Sequence, residues 1–253
     1  MHYGFIGLGN LGSKLAARLA ENGFAVTGFD TNTGFRESLE HAGVTFARSP
    51  QELASAVDHV ITCLPSPDAS SAVLDQILGA MGSDASVIEM STIGRDDAIR
   101  FAAVAERAGV GFLELPVTGG VHLAAVGELT LLAGGPASLM AVHQPALNVM
   151  GNEVIHMGPV GSASLIKVIT NMLALVHLQV CGEALMLASR GGLDLATSWQ
   201  AIAASSGNSF VHETEGQLIL TGSYDIGVNI ELALKDFGVA QQFEEQPGEH
   251  RDL

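Results

Sequence analysis

The stretch GSASLIKVITNM, residues 161–172, sets one lysine inside an apolar run and an asparagine four positions later. Residues four apart share one face of a helix, so Lys167 and Asn171 project together. A lysine there can lay its stem along apolar surface while the ammonium reaches water, or it can exchange a proton with a bound molecule. A second constellation sits at the N-terminus. GLGNLG puts Gly7, Gly9 and Gly12 in GxGxxG order, directly after the apolar run HYGFI and directly before a helical pattern. In that context the first glycine permits a tight turn, the second lets backbone approach a pyrophosphate, and the third allows close helix packing. Leu8, Asn10 and Leu11 complete the backbone of the loop. Asp30 closes the next strand, where a carboxylate can bind the adenine ribose hydroxyls. It would repel a 2′-phosphate and no arginine follows at once, Arg36 being the next, so NAD is favoured over NADP.

Other strand ends carry weaker signals, each with a plain structural alternative. In CLPSP, Leu64 and Pro65 can flank the dinucleotide or form a simple proline turn. In MSTIGRDD, Thr92 can bond near the nicotinamide or cap the following helix, with Asp96 or Asp97 in its first turn. LPVTGG places Thr118 before Gly119 and Gly120; consecutive exposed N–H groups there make a nest for a carboxylate, or only a Gly-Gly turn. Asn208 and Ser209 in SSGNSF read as a polar inter-helix loop more than as pocket lining.

Parallel βα units must position these groups. HYGFIGLG, FAVTGFD, HVITCLP, ASVIEMST and VGFLELPV are apolar runs of strand length, most followed by a loop and a helical period. ELTLLAGG and GNEVIHMG extend the series, with a helix between them. Such alternation implies a doubly wound parallel sheet with helices on both faces. After Gly161 the pattern is helical throughout. The segment from Ser162 onward is apolar on most faces, as in a helix buried on several sides. The fold class is therefore α/β, with a Rossmann-type domain over residues 1–160 and an all-helical domain over 161–253 begun by a long inter-domain helix. The junction is where a substrate cleft is expected.

Composition narrows the function further. At 253 residues and 47% apolar content the chain can bury a sizeable core. A net charge of −16 with no basic cluster disfavours nucleic acid as a partner. Cys63 and Cys181 read as reduced core residues, and the nine histidines show no metal-ligand spacing, so no metal is expected. The N-terminus lacks a signal-peptide pattern, and polar residues interrupt the long apolar helix, so a cytoplasmic protein without a membrane partner is expected.

FIGLGNLG, CLP, STI, PVTGG, GPVGSASLIKVITN and LKDFGVA occur in the order and approximate spacing of the β-hydroxyacid dehydrogenases, the family of 3-hydroxyisobutyrate dehydrogenase and tartronate semialdehyde reductase. The chain resembles that family from residue 3 to about 240. The resemblance implies a hydride transfer between NAD(P) and the β-carbon of a small 3-hydroxyacid, or reduction of the matching semialdehyde. It implies Lys167 as proton-transfer group, with Asn171 beside it. It further implies Thr118, Gly119 and Gly120 as the carboxylate loop, Thr92 near the nicotinamide ribose, and the Lys235–Asp236 pair at the nicotinamide end. A homodimer or homotetramer is also implied. Two departures stand out. Thr170 replaces the motif's first asparagine, and the chain ends soon after LKDFGVA, as a shortened helical domain would. The alternatives are a non-catalytic dinucleotide-binding protein and an imine reductase; relatives of the latter kind commonly replace the lysine that is present here. The segment VHLAAVGEL brings no arginine for a second carboxylate or a phosphate. Hydroxyisobutyrate, tartronate semialdehyde and succinic semialdehyde remain open.

Overall fold

The computed structural model describes residues 1–223 together with Leu234 and Gly238. The chain divides into two compact units, Met1–Lys167 and Val168–Leu253.

The first unit opens with β1 (His2–Ile6), α1 (Asn10–Glu21), β2 (Ala25–Phe29), α2 (Arg36–His41), β3 (Thr45–Phe46), α3 (Pro50–Ala56) and β4 (His59–Thr62). It continues through α4 (Pro67–Ile77), β5 (Ser86–Glu89), α5 (Arg95–Arg107), β6 (Gly111–Glu114), β7 (Val117–Thr118) and α6 (Gly120–Val126). It closes with β8 (Leu129–Gly134), α7 (Ala137–Met150), β9 (Gly151–Gly158) and the start of α8 (Ser162–Arg190). The sheet order is β3-β2-β1-β4-β5-β6-β8-β7, with β9 beside β8. Every pairing from β3 to β6 is parallel, as the repeated βα pattern predicts. The far edge is mixed: β8 runs antiparallel to β6 and β7, and β9 runs parallel to β8. Only Leu115 and Pro116 separate β6 from β7, so the chain continues past the sheet's carboxyl edge before α6 turns it back against that outgoing stretch.

Strand alternation sorts the core into two layers. Tyr3, Phe5, Ile61, Ile88 and Leu113 face one side, where Leu15, Leu19 and Leu147 of α1 and α7 cover them. Ile6, Val60, Val87 and Phe112 face the other, against Leu53, Leu74, Ile77 and Phe101 of α3, α4 and α5. At the amino edge of the sheet the first layer holds a polar chain. Tyr3 Oη lies 3.0 Å from His143 Nδ1, and Ser86 Oγ lies 2.9 Å from both His143 Nε2 and His59 Nδ1. The two imidazoles meet edge to face at 4.6 Å. Burial takes His143 down from the ordinary 6.5 to about 4 and lifts the Tyr3 phenol to about 12.

In the second unit α8 is followed by α9 (Leu195–Ala203) and α10 (Phe210–Thr221). Asp194 caps α9 through the Thr197 N–H at 2.8 Å, and Ser209 caps α10 through the His212 N–H at 3.1 Å. Ser209 therefore ends an inter-helix loop, as its sequence context suggests. Trp199 stacks on His212 at 5.5 Å, and each side chain bonds the other's carbonyl. Cys181 is buried, 3.2 Å from His212 Nδ1, whereas Cys63 is only half-buried.

The long helix departs from expectation. Ile169, Met172, Leu173, Val176, Val180 and Leu187 are exposed rather than buried, since apolar residues on most faces of a helix do not by themselves say which faces are covered. By length and composition alone, with a mean hydropathy of 1.5, α8 would also suffice to cross a membrane.

Candidate functional site

The GxGxxG turn has the stereochemistry its spacing implies. Gly7 adopts φ +96°, and a Cβ on it would lie 2.2 Å from the Cys63 carbonyl oxygen. A Cβ on Gly12 would lie 2.0 Å from the Gly7 carbonyl oxygen, whereas around Gly9 there is open space. Gly9 is the N-cap of α1, contributes no side-chain cap, and is followed by no acid in the first turn. The helix thus presents its positive end beside a bare backbone, which suits the pyrophosphate of a dinucleotide. Leu8 is buried, so only its backbone faces the turn, while Asn10 is exposed and Leu11 half-buried.

Asp30 follows β2 directly and links this turn to the next loop. Its Oδ2 accepts from the Leu8 N–H at 2.5 Å and its Oδ1 from the Asn32 N–H at 2.7 Å. A cleft opens beside it, lined by Asn32, Thr33, Arg36, Phe46 and Arg48 among others. The Arg36 guanidinium lies 4.7 Å from the Phe46 ring centre, and its Nε bonds Glu40 at 2.9 Å. Phe46 and Arg48, far from the glycine motif in sequence, carry no motif of their own that would have marked them.

Leu64 and Pro65 follow β4, and the Leu64 side chain reaches the Gly7 turn. The Leu64 N–H donates to Ser91 Oγ at 2.7 Å, and the Ser91 N–H donates to Glu89 Oε1 at 2.8 Å. This chain fixes the loop carrying Thr92, which is half-buried. Thr92 does not cap α5; Gly94 stands there without a side-chain cap, and Asp96 and Asp97 occupy the first turn. Burial pushes the Glu89 carboxyl above the usual carboxylate range, and its Oε2 has no hydrogen-bond partner among the described residues.

Thr118 ends β7, paired with Thr130, and the two following glycines adopt φ +125° and +84°. Gly119 is the N-cap of α6 and offers no side-chain cap. At Gly119 and Gly120 the backbone therefore takes a turn conformation that any residue other than glycine would strain.

Lys167 is 9% exposed, near the start of α8, and Asn171 is half-buried one turn further along the same helix. What anchors that start is a residue without a motif. Glu114, the last residue of β6, is fully buried. Its Oε1 accepts from the Gly161 and Ala163 N–H groups at 2.7 and 2.9 Å, and its Oε2 from the Ser164 N–H and hydroxyl at 3.2 and 2.5 Å. The available signal was a single acid ending an otherwise apolar strand, since a buried carboxylate demands partners. Lys235 and Asp236 lie outside the described residues.

Two family models divide the chain between them. Residues 2–158 match the NAD binding domain of 6-phosphogluconate dehydrogenase, and residues 161–248 match the NAD-binding domain of NADP-dependent 3-hydroxyisobutyrate dehydrogenase. The chain is 30% identical to 2-(hydroxymethyl)glutarate dehydrogenase of Eubacterium barkeri over 94% of its own length and 80% of that protein's. It is 33% identical to the mitochondrial 3-hydroxyisobutyrate dehydrogenase of Rattus norvegicus, covering 94% and 74%. A solved structure of Mycobacterium tuberculosis 3-hydroxyisobutyrate dehydrogenase with L-serine superimposes with a TM-score of 0.88 at 30% identity, covering 96% of this chain and 87% of that one.

Proposed function

We propose that this chain, which belongs to the β-hydroxyacid dehydrogenase family, oxidises a small 3-hydroxyacid, or reduces the matching semialdehyde, with Lys167 as its proton-transfer group. Three compounds named with relatives at 30% identity or more are 3-hydroxyisobutyrate, 2-(hydroxymethyl)glutarate and L-serine. All share a hydroxymethyl group on the carbon that bears a carboxylate. That shared unit is the substrate class we assign. The lack of an arginine in residues 121–129 favours members with one carboxylate.

Gly7 to Gly12 would hold the pyrophosphate, Asp30 the adenine ribose, and Leu64, Pro65 and Thr92 the nicotinamide half. A nicotinamide held there would supply the hydride acceptor for oxidation of the carbinol carbon, or the hydride donor for the reverse reduction. Thr118, Gly119 and Gly120 would anchor the carboxylate, so that its distance from the reacting centre selects the β-carbon. Lys167, neutral, takes the hydroxyl proton during oxidation; as an ammonium it returns that proton during reduction and stabilises the developing alkoxide. Asn171 orients the lysine and the substrate oxygen. Lys235 is a further cofactor-binding residue in this reading. NAD is preferred, because Asp30 repels a 2′-phosphate and Arg36 already has Glu40 as a counter-charge.

The observation that carries this reading is a lysine nine-tenths buried at the head of α8, in a chain whose relatives at 30% identity or more are hydroxyacid dehydrogenases. Those relatives also favour turnover over binding alone. The test is a panel of 3-hydroxyacids with NAD and with NADP, followed by absorbance of the reduced cofactor. Lys167→Ala should lose about a hundredfold or more in kcat while still binding NADH. A folded Lys167→Ala with wild-type turnover rejects the assignment.

A further inference from the structure

We infer that Glu114 is the positioning residue that sets Lys167 in register with the Thr118 loop; this rests on the proposed roles of Lys167 and that loop. Both segments lead away from one carboxylate. Downstream of Glu114 the backbone runs through Leu115 and Pro116 into Thr118, Gly119 and Gly120. Across space, the carboxylate binds Gly161, Ala163 and Ser164. Lys167 stands four residues past Ala163, so in α-helical geometry it rests on the turn that Glu114 grips.

The grip is specific in direction. Each oxygen takes two donors, so the carboxylate plane is fixed, and the first turn of α8 cannot rotate or slide without breaking these bonds. A serine or aspartate at the head of α8 would satisfy the same N–H groups locally. Here the acceptor comes from a strand 47 to 50 residues earlier, which makes the cap a tie between two elements. A third element is shaped around it. Gly134 of β8 pairs with Glu114, and a Cβ on Gly134 would lie 2.0 Å from Glu114 Oε1. The sheet thus leaves room for this carboxylate and for little else.

The test uses the full chain and the 3-hydroxyacid that the panel selects. Wild type, Lys167→Ala, Glu114→Gln and Ser164→Ala are compared by circular dichroism, NADH affinity, KM for NAD, and kcat. Glu114→Gln turns a donor toward the helix N–H groups. The expected result is a folded variant with NADH affinity and KM for NAD close to wild type, and a kcat lower by about a hundredfold, the scale of a small misplacement of a reacting group. Ser164→Ala should show a smaller loss in the same direction. Wild-type kcat in folded Glu114→Gln overturns the proposal. So does a loss of kcat matched by an equal loss of bound NADH, which marks a purely structural role. Should Glu114→Gln fail to fold, Ser164→Ala decides, and an unchanged kcat there overturns the proposal. An inactive Lys167→Ala beside a fully active Glu114→Gln rejects only the role of Glu114. A wild-type chain that turns over no 3-hydroxyacid, or a fully active Lys167→Ala, removes the underlying reading as well.

Discussion

Asp30 accepts a backbone N–H on each oxygen, yet a carboxylate offers about four lone-pair positions, so it retains capacity for ribose hydroxyls. Asp30→Ser should narrow the preference for NAD over NADP by about tenfold in kcat/KM, worth roughly 1.4 kcal/mol, as measured with both cofactors on one substrate. Arg36→Ala should leave NAD kinetics unchanged. At Gly134 the forecast concerns space. Gly134→Ala pushes a methyl against Glu114 and should cost about 1–3 kcal/mol in denaturant unfolding, with kcat falling alongside. The residues that sequence alone singled out share a property: type and local spacing declare them, as with Gly7, Gly9 and Gly12 or the pair Lys167 and Asn171. Glu114 escapes that logic because its donors lie 47 to 50 positions away. The two acids that end apolar strands, Glu89 and Glu114, are cross-strand partners, a pairing that only the sheet register reveals.

At the level of elements, the β1–α1 turn is the most constrained piece. Gly7→Ala combines φ +96° with a Cβ 2.2 Å from a backbone carbonyl, so neither rotation nor a side-chain shift relieves it. A loss of about 2 kcal/mol or more in unfolding free energy is expected, together with weaker NADH binding by fluorescence titration. The parallel strands were readable because alternate residues feed two opposite layers, as Tyr3 and Phe5 do against Ile6. Two strands were not. β3 and β7 have two residues each, too few to show a period, and the reversal at β8 depends on the brief Leu115–Pro116 link rather than on any pattern within β8 itself. The long helix was legible as a helix and misleading about burial, since apolar residues on most faces do not say which faces the same chain covers.

For the whole molecule, that uncovered face bears on association. Ile169, Leu173, Val176, Val180 and Leu187 recur at helical spacing on α8, an apolar stripe that a homo-oligomer would bury. Sedimentation should show a dimer or larger species, and Leu173→Asp should shift it toward monomer. Stability should also fall in mild acid. His143 is held near 4 in the folded chain against 6.5 when unfolded. Between those values the unfolded state binds the extra proton, so folding weakens as pH falls through that window, by about 3 kcal/mol at full extent. Unfolding curves from pH 7 to pH 4 should show the slope, and His143→Phe, less stable at neutral pH, should flatten it. The same buried chain imposes one more constraint. Ser86 has a single hydroxyl proton and sits between His59 Nδ1 and His143 Nε2. If it donates to His59, then His143 must donate to it, and both rings carry their proton on Nε2. If it donates to His143, both carry it on Nδ1. The two imidazoles therefore share one tautomer, and nitrogen-15 chemical shifts should report the same protonated position, Nε2 or Nδ1, for both.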